Sequence, residues 1–178
     1  GETMTHGHDL APSPWIARFA PLVAEGARVL DLAAGLGRHA RWFANRGARV
    51  VAVDRDAALL STMAGIAGIE TRILDLETGA WPLHGEHFDA IVVVNYLHRP
   101  LFPHLAASLA PDGVLIYETF MSGNERYGKP SNPEFLLRPG ELLDAFRALR
   151  VLAFEQGSIV APKPAVIQRL CASAGRKD

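Results

Sequence analysis

Arg28-Val-Leu-Asp-Leu-Ala-Ala-Gly-Leu-Gly-Arg-His-Ala40, followed by Arg49-Val-Val-Ala-Val-Asp54, decides the fold. An apolar run breaks at two glycines, passes into a helix-like segment and is answered by an acid at the end of the next apolar run. The pattern reads as strand, tight turn, helix and second strand around a nucleoside-cofactor pocket.

The same reading extends in both directions. Ser13-Pro14-Trp15 is an N-cap, a first-turn proline and a first apolar residue, opening a helix to about Pro21. Ala27 to Leu32 is the first strand, Gly37 to Arg46 a helix closed by Gly47, and Arg49 to Val53 the second strand. Asp56 to Met63 makes another helix and Thr71 to Leu74 a third strand ending at Asp75. Glu77 to Glu86 is loop-like, so the usual crossover helix is short or absent there. Phe88 to Val94 is a nearly continuous apolar run, as a central parallel strand covered on both faces requires. Leu101 to Leu109 is a helix stopped by Pro111-Asp112-Gly113, and Val114 to Tyr117 is the fifth strand. Phe120 to Pro139 is a long loop of the kind that serves as a lid. Gly140 to Leu149 is the last helix. Val151 to Glu155 and Ala165 to Ala172 have no helix between them and must pair antiparallel. These elements predict an α/β fold: a three-layer sandwich around a seven-stranded, mostly parallel sheet with a C-terminal antiparallel hairpin.

At 178 residues and 49% hydrophobic content the chain suits one domain spanning 1–178, with residues 1–12 expected to be a flexible N-terminus. Gly1-Glu-Thr ahead of Met4 is read as an expression remnant. Lys plus Arg number 18 against 19 Asp plus Glu, so no overall field draws the protein to nucleic acid or anionic lipid. The lone Cys171 excludes an internal disulfide and fits a reducing compartment. No run approaches the length of a membrane span and no secretory leader is read, so a cytoplasmic protein without membrane partner is expected, as monomer or homodimer.

In an open parallel sheet, ligands sit at the carboxyl ends of strands where the winding reverses. Asp31, Asp54, Asp75 and Asn95 all follow strands. Gly35 and Gly37 let the backbone turn tightly and approach a ligand. Asp54 lies nineteen residues after Gly35, the distance at which a carboxylate meets ribose hydroxyls. Asp75 with Leu76 would bracket an adenine. A nicotinamide or flavin dinucleotide site competes, because Gly35-Leu-Gly-Arg-His-Ala40 also satisfies G-x-G-x-x-G/A. Against it, Asp31 suits a ligand carrying an ammonium and a sulfonium and repels a pyrophosphate. The helix start and Arg38 still favour phosphate. A third reading takes every one of these residues as ordinary turn and cap chemistry.

The chain resembles the class I S-adenosylmethionine-dependent methyltransferases over nearly all of its length. Leu30 to Gly37 resembles the family's first motif, with Asp31 where the family reads the methionine amino group, often through water. Val53-Asp54 resembles the ribose-binding second motif, Asp75-Leu76 the adenine-binding third, and Phe88 to Asn95 the fourth. Pro111 to Gly113 is similar to the turn before the family's fifth strand, and the terminal hairpin matches the family topology. The first motif often has glycine where this chain has Ala33 and cysteine at Ala34. The resemblance implies a Rossmann-like sheet, S-adenosylmethionine as cofactor and S-adenosylhomocysteine as product. It implies cofactor contacts from Asp31, Ala33, Gly35, Gly37 and His39, and from Asp54, Arg55, Asp75, Leu76 and Asn95.

Methyl transfer from a sulfonium is an in-line displacement, so alignment and exclusion of water dominate and a general base is optional. His98 and Tyr96, just past the fourth strand, are the catalytic candidates. Helix capping by His98 and a core role for Tyr96 are the plain alternatives. His39 is a candidate partner for the cofactor's carboxylate, against a solvated helix histidine. His6 and His8 read as part of the flexible terminus, and no histidine has metal-like spacing backed by carboxylates. In the long loop, Phe120, Arg126 and Tyr127 are candidates to line or close the acceptor side, and Arg126 suits an anion. Asn95-Tyr-Leu-His98 lacks the paired prolines of enzymes that methylate base amines, so nucleic acid is not the expected acceptor. The compact size is similar to small-molecule members of the family, including the tellurite-resistance and thiol-methylating branches, which implies a small, anionic or thiol-like acceptor. Protein or RNA methylation and a non-catalytic cofactor-sensing module are the other classes. Asp54→Ala is expected to weaken cofactor binding by about 1.5 to 3 kcal/mol through loss of charge-assisted hydrogen bonds, measured by calorimetry. An unchanged affinity removes Asp54 from the site.

Overall fold

The computed structural model describes residues 11–176. The remnant at Gly1–Thr3, the histidines His6 and His8, and most of the expected flexible N-terminus lie outside the described residues. Seven strands form one sheet in the order β3-β2-β1-β4-β5-β7-β6. They are β1 (Arg28–Leu32), β2 (Arg49–Asp54), β3 (Ile69–Ile73), β4 (Phe88–Val94), β5 (Leu109–Phe120), β6 (Arg150–Ile159) and β7 (Ala165–Ser173). The first five pair parallel, and β7 pairs antiparallel with both β5 and β6. The helices are α1 (Pro14–Phe19), α2 (Arg38–Asn45), α3 (Ala57–Ser61), α4 (Phe102–Ala107) and α5 (Glu141–Ala145).

Alternation along each strand builds two cores, one on each face of the sheet. Val29, Val50, Ala52, Ala90, Val92 and Ile116 pack toward α1, α2 and α3, where Trp15, Ile16, Phe43, Leu60 and Met63 are buried. Leu30, Val51, Val53, Ile91, Val93 and Leu115 point the other way, toward α4, α5 and the loop before β4. That loop holds no helix; buried Trp81 and Leu83 cover the sheet in its place.

Several boundaries differ from the sequence reading. The strand expected at Thr71 to Leu74 is Ile69–Ile73, because pairing with β2 starts at Val50–Ile69. Pro111-Asp112-Gly113 does not separate a helix from a strand but lies inside β5, which runs from Leu109. Between Phe88–Leu109 and Ala90–Val114 the pairing with β4 slips, so a bulge absorbs the Pro-Asp-Gly step. Asp112 takes φ 60° there and its N–H donates to Gly175 O at 2.8 Å. The fifth strand therefore continues to Phe120, well past the expected end at Tyr117. The helix expected over Leu101 to Leu109 is shortened to α4, preceded by a 3₁₀ turn at Arg99–Leu101. Gly140 to Leu149 contracts to α5, and Asp56 to Met63 to α3 with Asp56 as its side-chain N-cap. β6 outruns Val151 to Glu155 because the hairpin with β7 carries its ladder to Ile159–Ala165.

A Cβ on Gly113 would lie 2.8 Å from Ala110 O and 2.9 Å from Phe88 O, both backbone atoms that cannot step aside. Gly113→Ala is expected to cost about 2 kcal/mol of stability by overpacking the bulge. Urea denaturation checks it, and an unchanged midpoint contradicts it.

Candidate functional site

The winding reverses between neighbouring β1 and β4, which opens a crevice at the carboxyl ends of the strands. A main cleft of about 740 Å³ lies over the turn after β1, walled by Ala11–Pro14, His39, Asn95 and the β6–β7 hairpin tip at Ala161–Pro162. A side cleft of about 200 Å³ lies between Asp54, Arg55, Leu74, Leu76, Glu77 and Tyr96. Ala33 lines both, so the two halves meet at the β1 turn.

The main cleft is charged from its floor. Asp31, next to last in β1, is 3% exposed, and its Oδ2 accepts the Ala40 N–H at 3.0 Å, one of the orphan amides opening α2. The other oxygen accepts from no described residue, and Asp31 lines the cleft. Burial pushes its carboxyl up to about 7, with the Asp54 charge adding, against the pull of the Ala40 amide and Arg38. Gly37 holds φ 79° directly above buried Met63, whose Sδ would sit 2.1 Å from an added Cβ. Ala33 at φ 57° adopts the left-handed turn without glycine's freedom.

In the side cleft, Asp54 ties the turns together. Its Oδ2 accepts from Gly35 N and its Oδ1 from Asp56 N, each at 2.9 Å. A carboxylate has about four acceptor positions, so both oxygens keep one free for ribose hydroxyls. Asp75 Oδ1 accepts from Glu77 N at 2.9 Å, with half-buried Leu76 beside it. Arg55 and Asp75 are exposed at the rim.

His39 is not a solvated helix residue. It is 4% exposed, because positions 39, 40 and 43 form the inward face of α2. Its Nε2 accepts from Ser13 N at 3.0 Å, and burial pushes it down to about 3, so the ring is neutral. Ser13 Oγ donates to Glu118 Oε1 at 2.8 Å, and Arg169 pairs with Glu118. This chain of contacts straps the segment before α1 over the main cleft.

Two further chambers open beside Asn95, which holds φ 56° at the tip of β4 and lines both. A basic chamber of about 170 Å³ includes Arg38, Lys163, Arg169 and Glu118. An aromatic chamber of about 340 Å³ lies between Tyr96, Phe120, Phe135 and Glu77. Tyr96 Oη donates to Glu77 Oε2 at 3.1 Å, and burial followed by the Glu77 charge raises its ionisation well above the usual range. Tyr96 thus faces a cleft and a chamber, while its carbonyl accepts from Tyr117 Oη at 2.8 Å. His98 lines none of these spaces. Its Nδ1 lies 3.9 Å from Glu77, and although it occupies the N-cap of the 3₁₀ turn its side chain caps nothing.

Phe120 reaches both chambers, but Arg126 and Tyr127 line neither. Arg126 Nε donates to Gly123 O, and its guanidinium lies over the Tyr127 ring, which is 49% exposed. The sequence reading missed Glu77, Lys163, Phe135 and the Ala11–Ser13 wall. Only their convergence in space marks them. Among the described residues, no group of three or more His, Cys, Asp or Glu could hold a metal ion. No helix there is long and apolar enough to cross a membrane.

The methyltransferase domain family matches residues 29–113. TehB from Haemophilus influenzae superposes with a TM-score of 0.77 at 16% identity over 94% of this chain, which spans only 63% of TehB. An S-adenosylmethionine-dependent methyltransferase from Mesorhizobium loti superposes with 0.71 at 17% identity, over 92% of this chain and 99% of that one. The N-methyltransferase NodS from Bradyrhizobium japonicum gives 0.70 at 14% identity, over 90% and 94%. No curated protein matches the sequence.

Because the folded protein keeps the Asp31 carboxyl protonated to a higher pH than the unfolded chain does, this group's favourable contribution is complete below about pH 4 and is lost as pH climbs through about 7. Asp31→Asn removes that loss. The variant's stability advantage without ligand is expected to grow from pH 5 to pH 8, reaching on the order of 3 kcal/mol, in urea titrations. An advantage that shrinks with pH contradicts the burial argument.

Proposed function

We propose that this chain transfers a methyl group from S-adenosylmethionine to a small-molecule acceptor, a reading supported by the methyltransferase domain match at residues 29–113 and by the strand order of the sheet. The observation that carries the proposal is the pair of strand-tip carboxylates, Asp31 and Asp54, on joined clefts. The residues fit the cofactor: a buried acid with an oxygen free for an ammonium, an acid for ribose, and an open approach at Gly35, where an added Cβ would meet nothing within 4 Å.

S-adenosylmethionine supplies an electrophilic methyl group on a sulfonium. Asp31 holds the amino group and Arg38, on the same cleft, the carboxylate. Asp54 orients the ribose, and Leu76 with Asp75 brackets the adenine. Neutral His39 braces Ser13 at the cleft wall; it carries no charge with which to attract the carboxylate. His98 and Tyr96 both approach Glu77, and of the two only Tyr96 lines a cleft.

An anionic or thiol-like acceptor is the second reading, and it would draw on Lys163 in the basic chamber, since Arg169 is paired with Glu118 and Arg126 is turned away. At about 170 Å³ that chamber suits a small ion rather than an organic molecule. Methylation of protein or RNA has no comparable observation behind it. A non-catalytic sensor of the cofactor would bind it and turn over nothing.

Calorimetric titration with S-adenosylmethionine, S-adenosylhomocysteine and the nicotinamide dinucleotides tests the reading. The two sulfur nucleosides are expected to bind and the dinucleotides not to. Dinucleotide binding alone, or no binding at all, overturns it.

A further inference from the structure

The aromatic chamber has a charge character opposite to the one the long loop led the sequence reading to expect. Among the described residues, Glu77 is the only formally charged one on its walls, and no lysine or arginine lines it. Three of the other walls are aromatic, Tyr96, Phe120 and Phe135, and Leu97 and Pro130 add apolar surface beside Asn95 and Thr119. An acid among three aromatic rings complements a cation with an apolar body, because aromatic faces attract positive charge. A carboxylate or oxyanion placed there would meet Glu77 and the ring faces with no partner.

The walls are built rather than incidental. Phe135 is 52% exposed, yet the carbonyls on either side of it are held. Arg99 donates to Glu134 O at 3.1 Å and to Leu136 O at 2.8 Å, and its guanidinium pairs with buried Glu141 at 2.6 Å. Tyr96 is braced at its carbonyl by Tyr117 and at its hydroxyl by Glu77. Pro130 O accepts from Asn124 Nδ2 at 3.0 Å. The expected lid segment thus presents one ring inward on a fixed backbone.

The chamber also adjoins both cofactor clefts. Glu77 and Tyr96 belong to both the side cleft and this chamber, and Asn95 to both the main cleft and this chamber. At about 340 Å³ it falls within the size of small-molecule sites, twice the basic chamber.

We propose that the methyl acceptor is an amine with an aromatic or apolar body, seated between Tyr96, Phe120 and Phe135 with the Glu77 carboxylate as its counter-charge. The inference rests on the methyl-transfer reading. The amine arrives as an ammonium and loses a proton to Glu77 or, through it, to solvent. The freed nitrogen lone pair then forms the C–N bond as the S–CH₃ bond breaks, its electron pair staying on sulfur. Positive charge therefore passes from sulfur to nitrogen and is not annihilated, as it would be with an anionic acceptor. Glu77 and the rings favour that transfer because they stand where the new charge develops.

The test uses the protein saturated with S-adenosylhomocysteine, titrated with benzyltrimethylammonium and with benzoate. The ammonium is expected to bind and benzoate not to. Phe135→Ala, remote from both cofactor clefts, should weaken the ammonium tenfold or more while leaving S-adenosylhomocysteine affinity unchanged. Glu77→Gln should weaken the ammonium and reduce its salt dependence; Lys163→Gln should not. With labelled S-adenosylmethionine, benzylamine and phenethylamine should yield N-methyl products faster as pH rises. Preferential benzoate binding that Lys163→Gln abolishes, or ammonium affinity indifferent to Phe135→Ala, overturns the amine assignment. Failure of the cofactor itself to bind overturns the underlying methyl-transfer reading, so the two failures are distinguishable.

Discussion

A single carboxylate, Asp31, is held almost out of water at the tip of a central parallel strand, and the electrostatics of the cleft follow from it. Its one described hydrogen bond comes from the Ala40 amide at the start of α2, which is insufficient to offset burial, so the group titrates near neutrality. A cation seated in the cleft would offset that burial and favour the charged form. The fold bears that cost: β1 runs through the middle of the sheet, with Val29 in one core and Leu30 and Leu32 in the other.

The rest of the site is arranged around that point by topology. Reversal of winding between β1 and β4 makes the crevice, and Asp54 fastens the second strand's turn to the first through Gly35. The antiparallel return of β7 beside β5 brings the hairpin tip and Arg169 to the same edge. The strap before α1 is closed through Ser13, His39 and Glu118, three residues from distant parts of the chain that no short-range pattern connects.

Much of this was legible in the sequence where periodicity or turn chemistry spoke alone. The two-glycine turn, the apolar run of β4, the helix-free crossover before it and the antiparallel terminal hairpin follow from local rules. β5 was misjudged because Pro111-Asp112-Gly113 carries strong stop signals, while a bulge pinned to Gly175 lets the strand continue. His39 was recoverable in part, since it shares a helix face with Ala40 and Phe43. Arg126 looked like an acceptor residue because loop charge close to a strand end is ambiguous until the loop's course is known; it folds back over Tyr127. Glu77, Phe135 and Lys163 left no sequence signal, because their proximity depends on strand order and on the backbone clamp at Arg99.

The central claim is that carboxylates at adjacent strand tips receive a cationic sulfur nucleoside. A crystal structure of the protein with S-adenosylhomocysteine tests it most directly. The account predicts the amino group within hydrogen-bond reach of Asp31, directly or through one water, and the ribose hydroxyls on Asp54. A ligand lying elsewhere, or reversed so that Asp31 faces the adenine, would contradict it.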